Sequence, residues 1–384
     1  MTSHTPLRAA ILGTGAIANA HATAVAATPD AELVAVADRD AEHARAFAER
    51  WGLGEAAVFG SLDELLASGG VDVLHICTPP GVHAEQAIAA LDAGLHVVCE
   101  KPAALSLDEL DAMTDAASRA DRRLAVVFQQ RTGSAAAHVR RLLDEGALGR
   151  PLVATCQTLW YRDPAYFAVP WRGRWATEGG GPTLGHGIHQ IDLLAWLLGD
   201  WSSVQGQLWR LDRDTETEDV STAVVTFARG TVASVITSAL SPRETSSIRI
   251  DTELATVTVD HLYGHGHEHW RITPAPQVAA EVAGGWALPD VEEPSGHDPL
   301  IRDIYSALQA GAPLPSTASD ASRSFEIVTA IYSSAASGAP VTPETLRADT
   351  VRRRSLESPV VDLRAGRGPV PPVPDEAPSW WAGR

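Results

Sequence analysis

Between residues 7 and about 130, short apolar runs alternate with longer amphipathic stretches, and each apolar run ends in turn-forming or polar residues. A strand buried on both faces is apolar throughout, whereas a helix lying on it buries one stripe. The alternation therefore specifies a parallel sheet covered by helices on both sides. The runs are LRAAIL (7–12), ELVAVA (32–37), VDVLHIC (71–77), LHVVCE (95–100) and RLAVVFQ (123–129), with a short AVF at 57–59. They predict six strands of a doubly wound α/β domain over residues 1–130. Ser61 and Ser106 each precede a glutamate by three residues, Glu64 and Glu109, the capping-box spacing that starts a helix.

After residue 150 the periodicity becomes that of strands joined by tight turns: LVATCQTLWY, VSTAVVTF, TVASVITSAL, IRIDTELATVTVD and HWRIT. Arg229-Gly230 separates two alternating runs as a hairpin turn does. Helices are expected over 298–311 and 319–338. Residues 131–345 thus read as an α+β domain built on a mostly antiparallel sheet. Residues 346–384 end in GPVPPVPDEAPSWWAGR, lack helical periodicity and read as an extended Pro-rich tail, with Trp380 and Trp381 packed against another surface.

The chain's 384 residues, 45% of them hydrophobic, suffice for two domains. Its 48 acidic and 30 basic side chains give a formal charge of −18, which repels nucleic acid and anionic membranes and favours small neutral substrates. Three cysteines, Cys77, Cys99 and Cys156, odd in number and widely spaced, argue against a disulfide scaffold. The N-terminus has no Lys/Arg-led apolar segment, and no apolar stretch reaches the ~18 residues that span a bilayer. A cytoplasmic protein with no membrane partner is expected.

Gly13-Thr14-Gly15-Ala16-Ile17-Ala18 follows the first strand directly and opens the next helix. Gly13 permits the tight turn, Gly15 lets the backbone approach a pyrophosphate, and Ala18 keeps the helix close to the strand. The helix N-terminus presents N–H groups and the positive end of its dipole. The second strand ends in Asp38-Arg39, with Asp38 twenty residues past Ala18. A carboxylate there hydrogen-bonds a ribose 2′-hydroxyl and repels a 2′-phosphate, favouring NAD. Arg39 can stack on adenine or tolerate the phosphate, which keeps NADP open. The other reading of Asp38 is a cap for the helix that follows.

Two more stretches sit at carboxyl ends of strands, where open α/β sheets bind ligands: Cys77-Thr78-Pro79-Pro80-Gly81-Val82-His83 and Glu100-Lys101-Pro102. Together, GTGAIANAH, CTPPGVHAEQAIAALDAGLHVVCEKP and GGGPTLGHGIHQIDLLAWLLG resemble the Gfo/Idh/MocA family of nicotinamide-dependent oxidoreductases, over residues 7 to about 345. The resemblance implies a Rossmann domain followed by a domain whose large open sheet makes subunit contacts, hence a homodimer or homotetramer. It also implies hydride transfer at a secondary alcohol of a sugar, cyclitol or related polyol. NAD contacts would come from Gly13, Thr14, Gly15, Ala16, Ile17, Asp38, Arg39, Thr78, Pro79, His83, Glu100 and Lys101. Lys101 would lie by the nicotinamide and the reacting oxygen, where it stabilises alkoxide charge. Family members often hold the proline after that lysine cis.

Oxidising a secondary alcohol needs a base for the hydroxyl proton, a task suited to histidine near neutral pH. The family's glycine-rich segment carries an Asp, three residues and then a His. Aligned with it, this chain has His189 as acid/base and Gly185 where the Asp belongs. His186 and Asp192, three residues to either side of His189, are the nearest substitutes. His186 is expected to contact substrate hydroxyls and Asp192 to orient an imidazole. Substrate contacts are further expected from Tyr161, Trp171 and Arg172 in TLWYRDPAYFAVPWRGRWATEGGG, because sugar rings stack C–H faces on aromatic rings and offer hydroxyls to polar groups. Arg131 is expected at the substrate or at the domain junction.

His186, His189 and Asp192 are of metal-ligand type, but hydride transfer needs no metal and their spacing matches no zinc motif. His261, His265, His267 and His269 read as a polar hairpin loop, so no metal is expected. Two other activities stay open: glycoside cleavage through transient oxidation and elimination, and a cofactor-sensing regulator that has lost the acid/base pair. The retained Lys101 and His189 argue against the regulator.

Overall fold

The structure, a computed structural model, describes residues 5–364. Its first sheet consists of β1 (Leu7–Leu12), β2 (Ala31–Ala37), β3 (Val58–Phe59), β4 (Val73–Ile76), β5 (His96–Cys99) and β6 (Leu124–Val126). All pairings are parallel, in the order β3-β2-β1-β4-β5-β6. The order reverses between β1 and β4, which opens a crevice beyond their carboxyl ends. The crossovers are α1 (Ala18–Ala27), α2 (Ala41–Arg50), α3 (Leu62–Ser68), α4 (His83–Asp92) and α5 (Leu107–Ala120). Ser61 and Ser106 start α3 and α5 as expected, each accepting the N–H of the glutamate three residues on. The glutamates reach one residue further back than a capping box requires, to the N–H groups of Gly60 and Leu105, both at 2.8 Å.

Helix α6 (Ser134–Asp144) leads into β7 (Pro151–Tyr161). The short helices α7 (Pro164–Phe167) and α8 (Trp175–Glu178) then precede α9 (Ile188–Leu198), which a single π-type turn over Thr183–Gly187 introduces. The second sheet is completed by β8 (Trp201–Arg210), β9 (Val220–Phe227), β10 (Val232–Ser238), β11 (Leu240–Thr252), β12 (Ala255–Asp260) and β13 (Trp270–Pro274). Then come α10 (Ala280–Gly284), α11 (His297–Ala310), α12 (Ala318–Ser337), α13 (Pro343–Ala348), α14 (Thr350–Arg354) and β14 (Val361–Asp362). The eight strands run β13-β12-β11-β7-β10-β9-β8-β14, antiparallel except for β7/β10 and β8/β14. On one face Ala154, Cys156, Val225, Val235, Ile248 and Val257 share a core with α9 and α12. Burying each larger side chain there contributes roughly 1.5–3 kcal/mol. On the opposite face Val153, Val224 and Val232 are exposed. No helix of the described residues is long and apolar enough to cross a membrane.

Three features depart from the sequence reading. β8 has no apolar run, because only alternate residues, Val204, Gly206 and Leu208, face the core while Gln205 and Gln207 point out. Helix α11 follows the second sheet in sequence, yet its Leu300, Ile301, Ile304 and Tyr305 cover the first sheet, against Ala9, Val73, Val98 and Ala125. Residues 346–364 are not extended throughout. Thr342 caps α13 with Pro343 at its first position, Asp349 caps α14, and β14 adds an edge to β8. Trp380 and Trp381 lie outside the described residues. All three cysteines are free and buried.

Candidate active site

The β1–α1 turn presses against the end of β4. Gly13 has φ +88°, and a Cβ on it would stand 2.9 Å from main-chain atoms of Cys77 and Thr78. A Cβ on Gly15 would meet nothing within 4 Å, and among the described residues no side chain caps α1. Gly15, Ala16 and Ile17 therefore border open space into which a helix N-terminus points. That arrangement fits a dinucleotide pyrophosphate. Asp38 Oδ2 accepts from Thr14 N at 2.7 Å and Thr14 Oγ1 at 2.9 Å, and Oδ1 accepts from Asp40 N at 2.9 Å. The cap of α2 is Asp40, so Asp38 is free of that duty and instead fixes the glycine loop. Arg39 beside it is exposed.

Across the crevice, Thr78 Oγ1 donates to Gln86 at 2.6 Å, and Pro79 leads in extended conformation into a turn at Pro80–Val82. The resemblance counts His83 and Glu100 among the cofactor contacts, but the structure gives both to the protein itself. The buried His83 ring lies between the carbonyls of Thr78, at 2.7 Å, and Pro102, at 2.9 Å. Burial lowers its pKa even though both carbonyls favour the charged ring. It ties the β4 loop to the segment after β5, where the Lys101–Pro102 peptide is cis. Glu100 Oε1 meets His21 Nε2 at 2.9 Å and His297 Nε2 at 3.1 Å, while Oε2 accepts from Lys101 N at 3.1 Å. Burial alone would push its carboxyl up; the two imidazoles outweigh that and hold it well below the usual carboxylate range. The hydrogen-bonded chain continues from His21 to His75 and on to Tyr305, each step 2.8 Å. His21, His75 and His297 carry no sequence signal, since each is a lone histidine within an ordinary helix or strand pattern. Among the described residues, His21, Glu100 and His297 form the cluster whose donor atoms approach within 4.8 Å of one another.

Lys101 points into the second domain, where its Nζ donates to the carbonyl of Gly185 at 3.3 Å. Burial lowers its pKa, with Glu100 pulling the other way and Arg172 and Arg162 adding to the drop. His189, four residues after Gly185, is buried at the start of α9. Its Nδ1 has no partner among the described residues, and its Nε2 faces the Tyr263 hydroxyl at 3.5 Å. Burial first, and the Lys101 charge second, hold this imidazole well below its ordinary range, so it is neutral at pH 7 and able to accept a proton. Tyr263 comes from the loop between β12 and β13. Sequence reading passes over it in favour of the histidines on either side, whose contacts lie away from His189: His261 stacks on His269 with ring centroids 4.0 Å apart, and His267 reaches α6, meeting Ser134 Oγ at 2.6 Å.

Asp192 behaves differently from expectation, Arg131 takes the domain-junction alternative, and His186 is held through one ring nitrogen. His186 Nε2 accepts from Arg162 Nε at 3.3 Å and meets the Tyr166 hydroxyl at 3.0 Å, and its Nδ1 is buried. The ring thus supports Tyr166 and Arg162 through Nε2, while its buried Nδ1 has no partner among the described residues. Asp192 is turned away from both imidazoles. It forms a buried bidentate pair with Arg131, through Nε at 2.6 Å and through Nη2, and accepts from Ser324 Oγ at 2.7 Å. Arg131, which also donates to the Asp320 carbonyl at 3.2 Å, is a domain-junction residue. Of the expected substrate contacts, Arg172 lies within electrostatic reach of Lys101 and His186, whereas the ring packed closest on His186 is Trp160, with centroids 4.8 Å apart. Arg172 lies over the rings of Tyr166, at 3.8 Å, and Trp171, at 4.2 Å, and Arg213 lies 5.3 Å from the Tyr161 ring.

Two family models match the chain: "Oxidoreductase family, NAD-binding Rossmann fold" over residues 7–128 and "GFO/IDH/MocA C-terminal domain" over residues 136–258. The chain is similar to the D-glucoside 3-dehydrogenase of Escherichia coli, with 36% identity over 203 residues, 52% of this chain and 56% of that protein. It is also similar to inositol 2-dehydrogenase 3 of Saccharopolyspora erythraea, with 33% identity over 198 residues, 50% of this chain and 54% of that protein. The matched segment thus spans about half the length of these curated relatives. Among solved structures, the WlbA dehydrogenase of Bordetella pertussis, determined with NADH and UDP-GlcNAcA, superposes with a TM-score of 0.79 at 29% identity, covering 88% of this chain and 99% of that one. The two domain matches and the whole-fold likeness together identify the chain: it belongs to the Gfo/Idh/MocA oxidoreductase family, with an NAD-binding Rossmann domain at its N-terminal side.

Proposed function

We propose that the protein is an NAD-dependent dehydrogenase acting on a secondary alcohol of a sugar, cyclitol or glycoside. The observation that carries this reading is the meeting of Lys101, from the end of β5, with the Gly185–His189 segment of the other domain. Gly13, Thr14, Gly15, Ala16 and Ile17 would hold the pyrophosphate, with Asp38 at the adenosine ribose and Thr78, Pro79 and Lys101 along the nicotinamide half. When bound, NAD supplies the hydride acceptor. His189 Nε2, neutral and on the crevice side of its ring, takes the hydroxyl proton, and Lys101 stabilises the charge that develops on the oxygen. Tyr263, with its hydroxyl 3.5 Å from the same nitrogen, orients the His189 ring. Arg172, stacked on Trp171, would offer donors to a sugar, and Tyr161 and Trp171 would offer ring surface beside it. The names of the relatives, a glucoside and an inositol dehydrogenase, support the same substrate class.

The exposed valines on the outer face of the second sheet support a homo-oligomer formed through that sheet. The test of function is a panel of sugars, glycosides and cyclitols scanned for NADH absorbance. Steady NADH accumulation with a panel member is expected. Product without net NADH would transfer the reading to oxidation–elimination, and silence across the panel would overturn it.

A further inference from the structure

Gly185 leaves a gap in the wall beside Lys101. A Cβ at that position would have one neighbour within 4 Å, Glu178 Oε1 at 3.6 Å. Glu178 is the last residue of α8 and is buried. Its Oε2 accepts from Gly173 N at 2.5 Å, whereas among the described residues Oε1 has the looser Arg172 ion pair, Nη1 at 3.6 Å. One oxygen of this buried residue thus keeps only a long ion pair to Arg172 and faces the glycine whose carbonyl receives the Lys101 ammonium. A carboxylate oxygen has more than one lone pair, so an acceptor held by one long ion pair can still take a donor arriving from outside the protein.

We propose that Glu178 is a substrate-binding carboxylate of this site, Oε1 accepting a hydrogen bond from a hydroxyl adjacent to the reacting carbon. The substrate is thereby a vicinal diol, one hydroxyl facing His189 and Lys101 and its neighbour facing Glu178. The anion also balances the positive charge of Lys101 and Arg172 at the crevice, Arg162 being paired with Glu244, so a neutral polyol is accepted where the cations alone would select an anion. The inference rests on the dehydrogenase reading, because it needs Lys101 and His189 to define the reacting carbon. The groups facing Glu178 are Arg172 and the Gly173 N–H on the preceding loop, Glu218 at the approach to β9, and Lys101 after β5. Burial, reinforced by Glu218 and opposed by Gly173 and Arg172, raises the carboxyl to about 7.

The experiment compares wild type, Glu178→Gln and the double variant Glu178→Gln/Gly185→Asp as full-length protein with NAD, using myo-inositol and methyl β-D-glucoside as probes. Gly185 has no positive φ, so an aspartate fits its backbone and projects into the space that Oε1 faces. Glu178→Gln is expected to lower kcat/KM at least 30-fold with NAD affinity unchanged, and to remove a pH limb near 7. The aspartate introduced in the double variant is expected to restore at least tenfold. Glu178→Gln within threefold of wild type, or a folded double variant without recovery, overturns the inference and leaves the dehydrogenase reading standing. If wild type turns over neither probe, the dehydrogenase reading fails on these substrates. Probe binding to the NADH complex, read by NADH fluorescence, then decides on Glu178: tenfold weakening in Glu178→Gln supports it and equal affinity overturns it. A wild-type complex that binds neither probe overturns both.

Discussion

The guanidinium of Arg131 and the carboxylate of Asp192 face each other fork to fork at the junction of the two domains, both side chains almost wholly buried. A pair in that position is costly to break singly, because the remaining charge keeps its burial and loses its partner. Asp192→Ala should therefore lower stability by about 3–5 kcal/mol, read as a drop in the denaturation midpoint. Replacing both residues by apolar ones of similar volume, Arg131→Met with Asp192→Leu, should recover most of that loss. A double variant as unstable as Asp192→Ala would show that the pair does more than satisfy itself.

His189 and Lys101 should separate chemistry from cofactor binding. Neither is required by the glycine loop, so His189→Ala and Lys101→Ala are expected to retain NAD affinity within a few-fold. Loss of a positioned acid/base costs about 10²–10⁴-fold in rate. Pre-steady-state hydride transfer on the best panel substrate measures the effect. Undiminished transfer by His189→Ala would remove that residue from the proton path.

Legibility in the sequence followed burial. β1, β2, β4 and β5 are covered on both faces, so their apolar runs declared them, whereas β8 alternates Gln205 and Gln207 with Val204 and Leu208 under α12 and left no run. Lys101 and His189 stand in motifs that mark strand ends and helix starts. Arg131 and Asp192 are 61 residues apart, and nothing local says that each is the other's partner. Glu178 was hidden for a similar reason. It lies on a separate short helix, and it reaches the space beside Gly185 only because Gly179, at φ +80°, reverses the chain between them.

Asp38 fixes the glycine loop and, on the proposed reading, also selects the cofactor, two duties that one substitution can split. Its carboxylate holds Thr14 N and Oγ1, and its charge disfavours a 2′-phosphate. Asp38→Ala should weaken NAD by roughly tenfold, the scale of one lost charge-assisted hydrogen bond, and weaken NADP less. The ratio of the two dissociation constants, measured by fluorescence, is the readout. Equal weakening of both would mean that Asp38 serves the loop alone and does not select the cofactor.

Glu178 should leave a mark on stability as well as on turnover. Its carboxyl is raised to about 7 from 4.5, chiefly by burial, so the folded protein binds that proton more tightly than the unfolded chain does. The contribution is complete below the unfolded value and is lost as pH rises through 7, with a ceiling of about 3 kcal/mol. Glu178→Gln cannot ionise, so the stability difference between wild type and variant isolates this group from every other titration. That difference should move against the wild type between pH 4.5 and about 7 and level off above. A flat difference across the window would mean that Glu178 stays ionised throughout, held by Arg172 more closely than their 3.6 Å separation implies.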